Sequence, residues 1–214
     1  MTNATDSAVA PEDRRRTAWI LSAVSLVFTL AIAFWYLRSP DGFFTNTVGI
    51  NDSAWTSFVP WVLAAVIAVA YATFTVQGNP IVNRYKLELS PLKLVGIWVA
   101  LGSGVVEEVV FRQLLMDALF DRGAGPVLQV VVSAVVFGVG HALWVLLGGG
   151  FESARPVVVA TTVLGAALAV LYLVADRNVL PAIVAHIGIN LVIEPWLVLA
   201  AVSGKFLNDQ TPKR

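Results

Sequence analysis

Between about residues 18 and 204 the chain consists of apolar runs of roughly 20 residues, parted by short turns rich in Gly, Pro, Asn and Asp. A helix rises about 1.5 Å per residue, so each run matches the ~30 Å hydrocarbon core of a bilayer. No water reaches backbone N–H and C=O groups there, and a helix satisfies them internally. The expected fold class is therefore all-α: a polytopic transmembrane helical bundle of about six spans, with seven or eight helices if the third and last runs are broken.

Composition agrees. Hydrophobic residues make up 57% and charged residues 13%, against about a quarter charged in soluble domains. Mean hydropathy is +0.78. A formal net charge of zero argues against a nucleic-acid or other polyanionic partner, so the expected partners are the bilayer and a membrane-associated substrate. With no cysteine, disulfides, thiolate metal sites, cysteine nucleophiles and lipid attached to sulfur are excluded. The histidines are His141 and His186, both in apolar runs.

Residues 1–17 read as a disordered cytoplasmic tail, 18–204 as one transmembrane domain, and 205–214 as a second tail. The first run contains Ala31-Ile32-Ala33, which resembles a leader cleavage site. Its length, with Trp19, Trp35 and Tyr36 near its ends, favours an uncleaved anchor. Further runs cover about 58–77, 92–119, 127–147, 156–174 and 180–204. Gly102-Ser103-Gly104 is a candidate break in the third run and Glu194-Pro195 in the last; residues 148–150 are expected to end the fourth. Arg14, Arg15, Arg16, Arg84, Lys86, Lys93, Arg155, Lys205, Lys213 and Arg214 then gather on the side of the termini, against Arg38, Arg122 and Arg177 opposite. That bias predicts cytoplasmic termini.

The third run holds Glu107, Glu108 and Arg112, groups that each cost roughly 2.5–3.5 kcal/mol at mid-bilayer without compensation. Glu108 and Arg112 are four apart and share a helical face, so they are expected to pair. Glu107 is turned about 100° away and left free for chemistry. A plain ion network fixing helix register is the competing account of all three. In the fourth run Phe137 and His141 share a face, with Gly138 and Gly140 permitting close helix approach. In the last run His186 and Asn190 share a face, suited either to two donors aimed at one oxygen or to an interhelical hydrogen bond.

In this order, Glu107-Glu108-x-x-x-Arg112, Phe137-x-x-x-His141 and His186-x-x-x-Asn190 resemble the three-motif signature of the CPBP family. Its members are intramembrane CAAX-type proteases and bacteriocin-processing or self-immunity proteins, a group also called ABI. The resemblance covers about residues 92–195, and all three motifs are complete. It implies a membrane peptidase in which Glu107 activates water, His141 helps to hold it, and His186 and Asn190 stabilise the oxyanion. Glu108, Arg112 and Phe137 would support the site.

A metal is a separate question. Glu107, His141 and His186 with an open position could form a hydrolytic zinc site. The same side chains also work metal-free, and the lack of an H-E-x-x-H helix tips the expectation slightly that way. Counting along the runs, Glu107 and His186 fall about 21–22 Å from the cytoplasmic edge but His141 only about 9 Å. A shared site therefore requires the fourth helix to shift, run on toward 148–150, or tilt.

Other readings are a non-catalytic immunity or scaffold protein of the same fold, and a proton-coupled carrier. No internal repeat supports the carrier. A rhomboid-type serine protease lacks its motif around Ser103. The valine- and alanine-rich, lysine-poor composition points to a bacterial plasma membrane, where the substrate would be a membrane-associated peptide or protein.

Overall fold

The computed structural model describes residues 9–146 and 151–205, and these are helical with no strand. Pro11 opens α1 (Pro11–Arg38), with Glu12 and Asp13 in its first turn and Arg38 in its last, as the helix dipole favours. Residues 11–17, placed in the tail by the sequence, are thus helical. Arg14 is held by Glu88 at 2.6 and 3.1 Å and lies 4.8 Å from the Tyr85 ring centre, which anchors this extra length. The remaining terminal residues, 1–8 and 206–214, lie outside the described residues.

After a linking segment with short helical turns at Pro40–Gly42, Phe43–Thr47 and Asp52–Trp55 come α2 (Val59–Gly78) and α3 (Pro80–Tyr85). The Asn79 side chain caps α3 by accepting from the N–H groups of Ile81 and Val82. Next, α4 (Pro91–Phe120) starts behind the Ser90 cap. Then follow α5 (Pro126–Leu146), α6 (Phe151–Val174), α7 (Leu180–Ile193) and α8 (Trp196–Val202). The expected break at Glu194-Pro195 is present, and α7 and α8 meet at a 54° bend.

The expected break at Gly102-Ser103-Gly104 is not. The helix runs straight through it, because those glycines face neighbours: a side chain on Gly102 would meet Phe28 at 3.0 Å, and one on Gly104 would meet Ile187. The irregularity in α4 comes later, as a wide π-helical turn over Val109–Leu114. Gly138 lets α5 close on Thr162, as expected, whereas Gly140 faces open space.

Among the described residues, four helices are long and apolar enough to span: Pro11–Arg38, Val59–Gly78, Pro91–Phe120 and Arg155–Val174. The bent pair α7–α8 makes a fifth if it counts as one span, and Pro126–Ala142 is a shorter apolar helix. The chain is a multi-pass membrane protein. Large apolar side chains such as Leu26, Leu30, Val62, Val66 and Val163 point outward, as lipid-facing surfaces require.

α7 is well enclosed, with Ala182, Ala185 and Ile189 buried and α2 and α4 packed against it. α1 lies along α4 and α5 along α6. The turn after α6 is left-handed at Asp176 and Arg177. There Arg177 pairs with Asp117 and Gln129, and the Tyr172 hydroxyl donates to Asp117 at 2.9 Å.

Candidate active site

The three motif helices, α4, α5 and α7, bring Glu107, His141, His186 and Asn190 to the lining of one crevice. The two adjacent carboxylates part as their 100° offset requires. Glu108 is wholly buried, while Glu107 turns to the crevice with 14% of its side chain exposed.

Glu108 bridges Arg112 and His186. Its Oε2 is 3.1 Å from Nε of Arg112, a close ion pair whose angle is poorer than that of an aligned hydrogen bond. Its Oε1 accepts from Nδ1 of His186 at 2.7 Å. The pairing with Arg112 was expected; the link to His186 was not. Arg112, also fully buried, donates to the Gly165 carbonyl at 3.1 Å and lies 4.6 Å from the Phe137 ring centre. A carboxylate, a carbonyl and a ring face together make the guanidinium tolerable in this setting. The wide turn that carries Arg112 leaves the Phe111 carbonyl to the hydroxyl of Ser133, which donates at 2.9 Å.

Phe137 is the packing centre. Its ring lies 4.5 Å from that of His141, 5.8 Å from His186 and 5.3 Å from Phe111. With Arg112 over its face, it therefore meets a residue of each motif. Nδ1 of His141 lies 2.8 Å from the Phe137 carbonyl. A carbonyl only accepts, so Nδ1 carries the proton and Nε2 keeps its lone pair in the neutral ring. That Nε2 is 3.7 Å from Oε2 of Glu107, and Nε2 of His186 is 3.9 Å from the same oxygen. Both distances exceed hydrogen-bond length, and Oε2 is buried without a partner.

The depth mismatch is resolved: the His141 ring reaches Glu107, and α5 continues to Leu146. Residues 148–150, expected to end that helix, lie outside the described residues. Asn190 is in the crevice, but its amide donates to the hydroxyl of Ser103 at 3.0 Å. Ser103 is thus a hydrogen-bond partner of a motif residue.

Two further residues escaped the sequence reading. Lys93, assigned to the flanking charges, is buried and donates to the carbonyls of Leu191 and Glu194 at 2.6 and 2.7 Å. Glu194, read only as part of a helix break, lines the crevice. Its place four residues beyond Asn190 was a signal available in the sequence.

Two imidazoles and a carboxylate are the donor types of hydrolytic zinc sites. Among the described residues no group of three His, Cys, Asp or Glu is found set to hold a metal ion. Beside the crevice an apolar groove of about 740 Å³ runs between α2 and α6, sharing Tyr71 and Leu164 with it.

No curated protein and no solved structure matches the chain. Residues 90–192 match the model of the family described as Type II CAAX prenyl endopeptidase Rce1-like. The match opens at the Ser90 cap of α4 and closes inside α7, and so takes in every helix that carries a motif. Over this stretch the chain is similar to the Rce1-like family, which is consistent with a CPBP family intramembrane protease.

Proposed function

We propose that this protein is an intramembrane endopeptidase that hydrolyses a peptide bond of a membrane-associated peptide or protein, with Glu107 as the base that activates water. The observation that carries the reading is Oε2 of Glu107, which is buried, unbonded and faced by the Nε2 atoms of two imidazoles. The crevice it lines has a volume of about 80 Å³, enough for several waters.

A water between Glu107 and His141 donates one proton to the carboxylate and directs the other at Nε2 of His141. As Glu107 takes its proton, the water oxygen bonds to the substrate carbonyl carbon, and the π pair moves to the carbonyl oxygen. In its protonated form His186 keeps Nδ1–H on Glu108 and offers Nε2–H to that oxyanion. The amide hydrogen of Asn190 not held by Ser103 is the second donor. When the intermediate collapses, the C–N bond breaks and the Glu107 carboxyl returns its proton to the leaving amine. The products are a carboxylic acid and an amine, and no metal is required.

The apolar groove alongside suits a substrate that stays partly in lipid. The excess of Lys and Arg near the termini supports cytoplasmic termini in a bacterial plasma membrane.

The test compares membrane peptidomes of cells carrying wild-type or Glu107→Ala protein, followed by assay of the purified chain on any peptide that differs. A peptide that accumulates uncut only with Glu107→Ala supports the reading, and full cleavage by Glu107→Gln sinks it. A phenotype lost with the whole chain but unmoved by changes at Glu107 and His141 would indicate the non-catalytic, immunity or scaffold role.

A further inference from the structure

Glu194 enters the crevice from the bend between α7 and α8, and neither the motifs nor the chemistry above employs it. His186, Asn190 and Glu194 follow one another at four-residue intervals. The stripe bearing the two motif side chains therefore continues one turn further to a third polar group.

This carboxyl is held in place. The backbone N–H of Val198 in α8 bonds to it, and Lys93 fixes the adjoining main chain through the carbonyls of Leu191 and Glu194. Its Oε2 is nevertheless sealed from solvent and has no hydrogen-bond partner. Capping α8 needs only one acceptor, so a cap does not account for a second oxygen left buried and unbonded.

A peptide that displaces water from this crevice must find acceptors there for its own N–H groups. The Ser103 hydroxyl already accepts from Asn190 at 3.0 Å. Glu107 is committed to the water. Oε2 of Glu194 is a remaining acceptor, close to the reacting groups.

We propose that Glu194 is a substrate-binding residue: Oε2 accepts a backbone N–H of the bound peptide on the α8 side of the scissile bond and so sets its register against Glu107. The proposal rests on the peptidase reading.

The test uses the full chain in lipid nanodiscs. Its probe is an internally quenched peptide carrying a sequence whose cleavage in membranes depends on Glu107. Each backbone N–H of that peptide is replaced in turn by an ester oxygen, and kcat/KM is measured for wild type, Glu194→Gln and Glu194→Ala. One ester analogue is expected to be cut about 10- to 100-fold more slowly by wild type and by Glu194→Gln, which keeps an acceptor oxygen. Glu194→Ala should lose a similar factor on the parent peptide and nothing further on that analogue.

The proposal is overturned if the ester series affects wild type and Glu194→Ala alike, or if Glu194→Ala cuts the parent peptide at the wild-type rate. A folded but inactive Glu194→Gln also overturns it, because the carboxyl would then be a proton carrier. Should Glu194→Ala fail to fold, a wild-type series in which no ester analogue slows is refutation enough. If no peptide is cut in a Glu107-dependent way, the peptidase reading itself fails; failure confined to the ester series leaves that reading standing.

Discussion

Adjacent carboxylates in one helix should give opposite phenotypes when each is changed to glutamine. Glu107→Gln removes a charge whose nearest nitrogen partners are 3.7 and 3.9 Å away, so no hydrogen bond is broken. Its effect on stability should stay within about 0.5 kcal/mol. Activity should fall by roughly 10²–10⁴, the usual contribution of a positioned general base. Glu108→Gln instead strips the counter-charge from Arg112 and the anionic acceptor from His186.

Arg112 is wholly buried, and its remaining described partners are the Gly165 carbonyl and the Phe137 ring. Breaking a buried pair in this way costs about 3–5 kcal/mol, which for a chain of this size lowers Tm by roughly 6–20 °C. Tryptophan-fluorescence melting in detergent measures stability, and cleavage of the Glu107-dependent peptide measures activity. Equal destabilisation by the two changes would refute the division of roles. So would a Glu107→Gln protein that cuts at the wild-type rate.

Phe137→Ala should cost about 3–5 kcal/mol by opening a cavity among Arg112, His141 and His186, while Phe137→Leu should fold but cut slowly; melting and kcat/KM separate the two. The hydrogen bond from Arg14 holds the Glu88 carboxyl below its ordinary value of 4.5. A depressed carboxylate contributes stability that is full above that value and lost as pH falls through the folded pKa. Acid should therefore loosen the start of α1, seen as faster proteolysis near residue 14, and Glu88→Gln should abolish that pH dependence. Exhaustive chelation should leave cleavage intact, with elemental analysis confirming metal-free protein; activity lost to chelator and restored by zinc would refute the metal-free chemistry. Because the natural chain has no cysteine, single cysteines can report topology directly. A membrane-impermeant maleimide added to intact cells should label a cysteine at Gly123 and miss one at Thr211.

The helices and several contacts of the candidate site could be read from the sequence, because both follow from spacing along one strand of chain. A run of about 20 apolar residues has few ways to satisfy its backbone in lipid, and residues four apart on a helix share a face whatever surrounds them. That was enough to anticipate Glu108 beside Arg112, Phe137 under His141, and the bend at Glu194-Pro195.

What only the tertiary structure decided is how those faces meet. The bridge from Glu108 to His186, the hold of Asn190 on Ser103 and the burial of Lys93 under the α7–α8 bend all join residues far apart in sequence. Gly102-Ser103-Gly104 illustrates the limit: read locally it breaks a helix, yet Phe28 and Ile187 packing against it keep the helix whole. Spacing within a helix is set by the backbone, but register between helices is set by side-chain packing, and that depends on every neighbour at once.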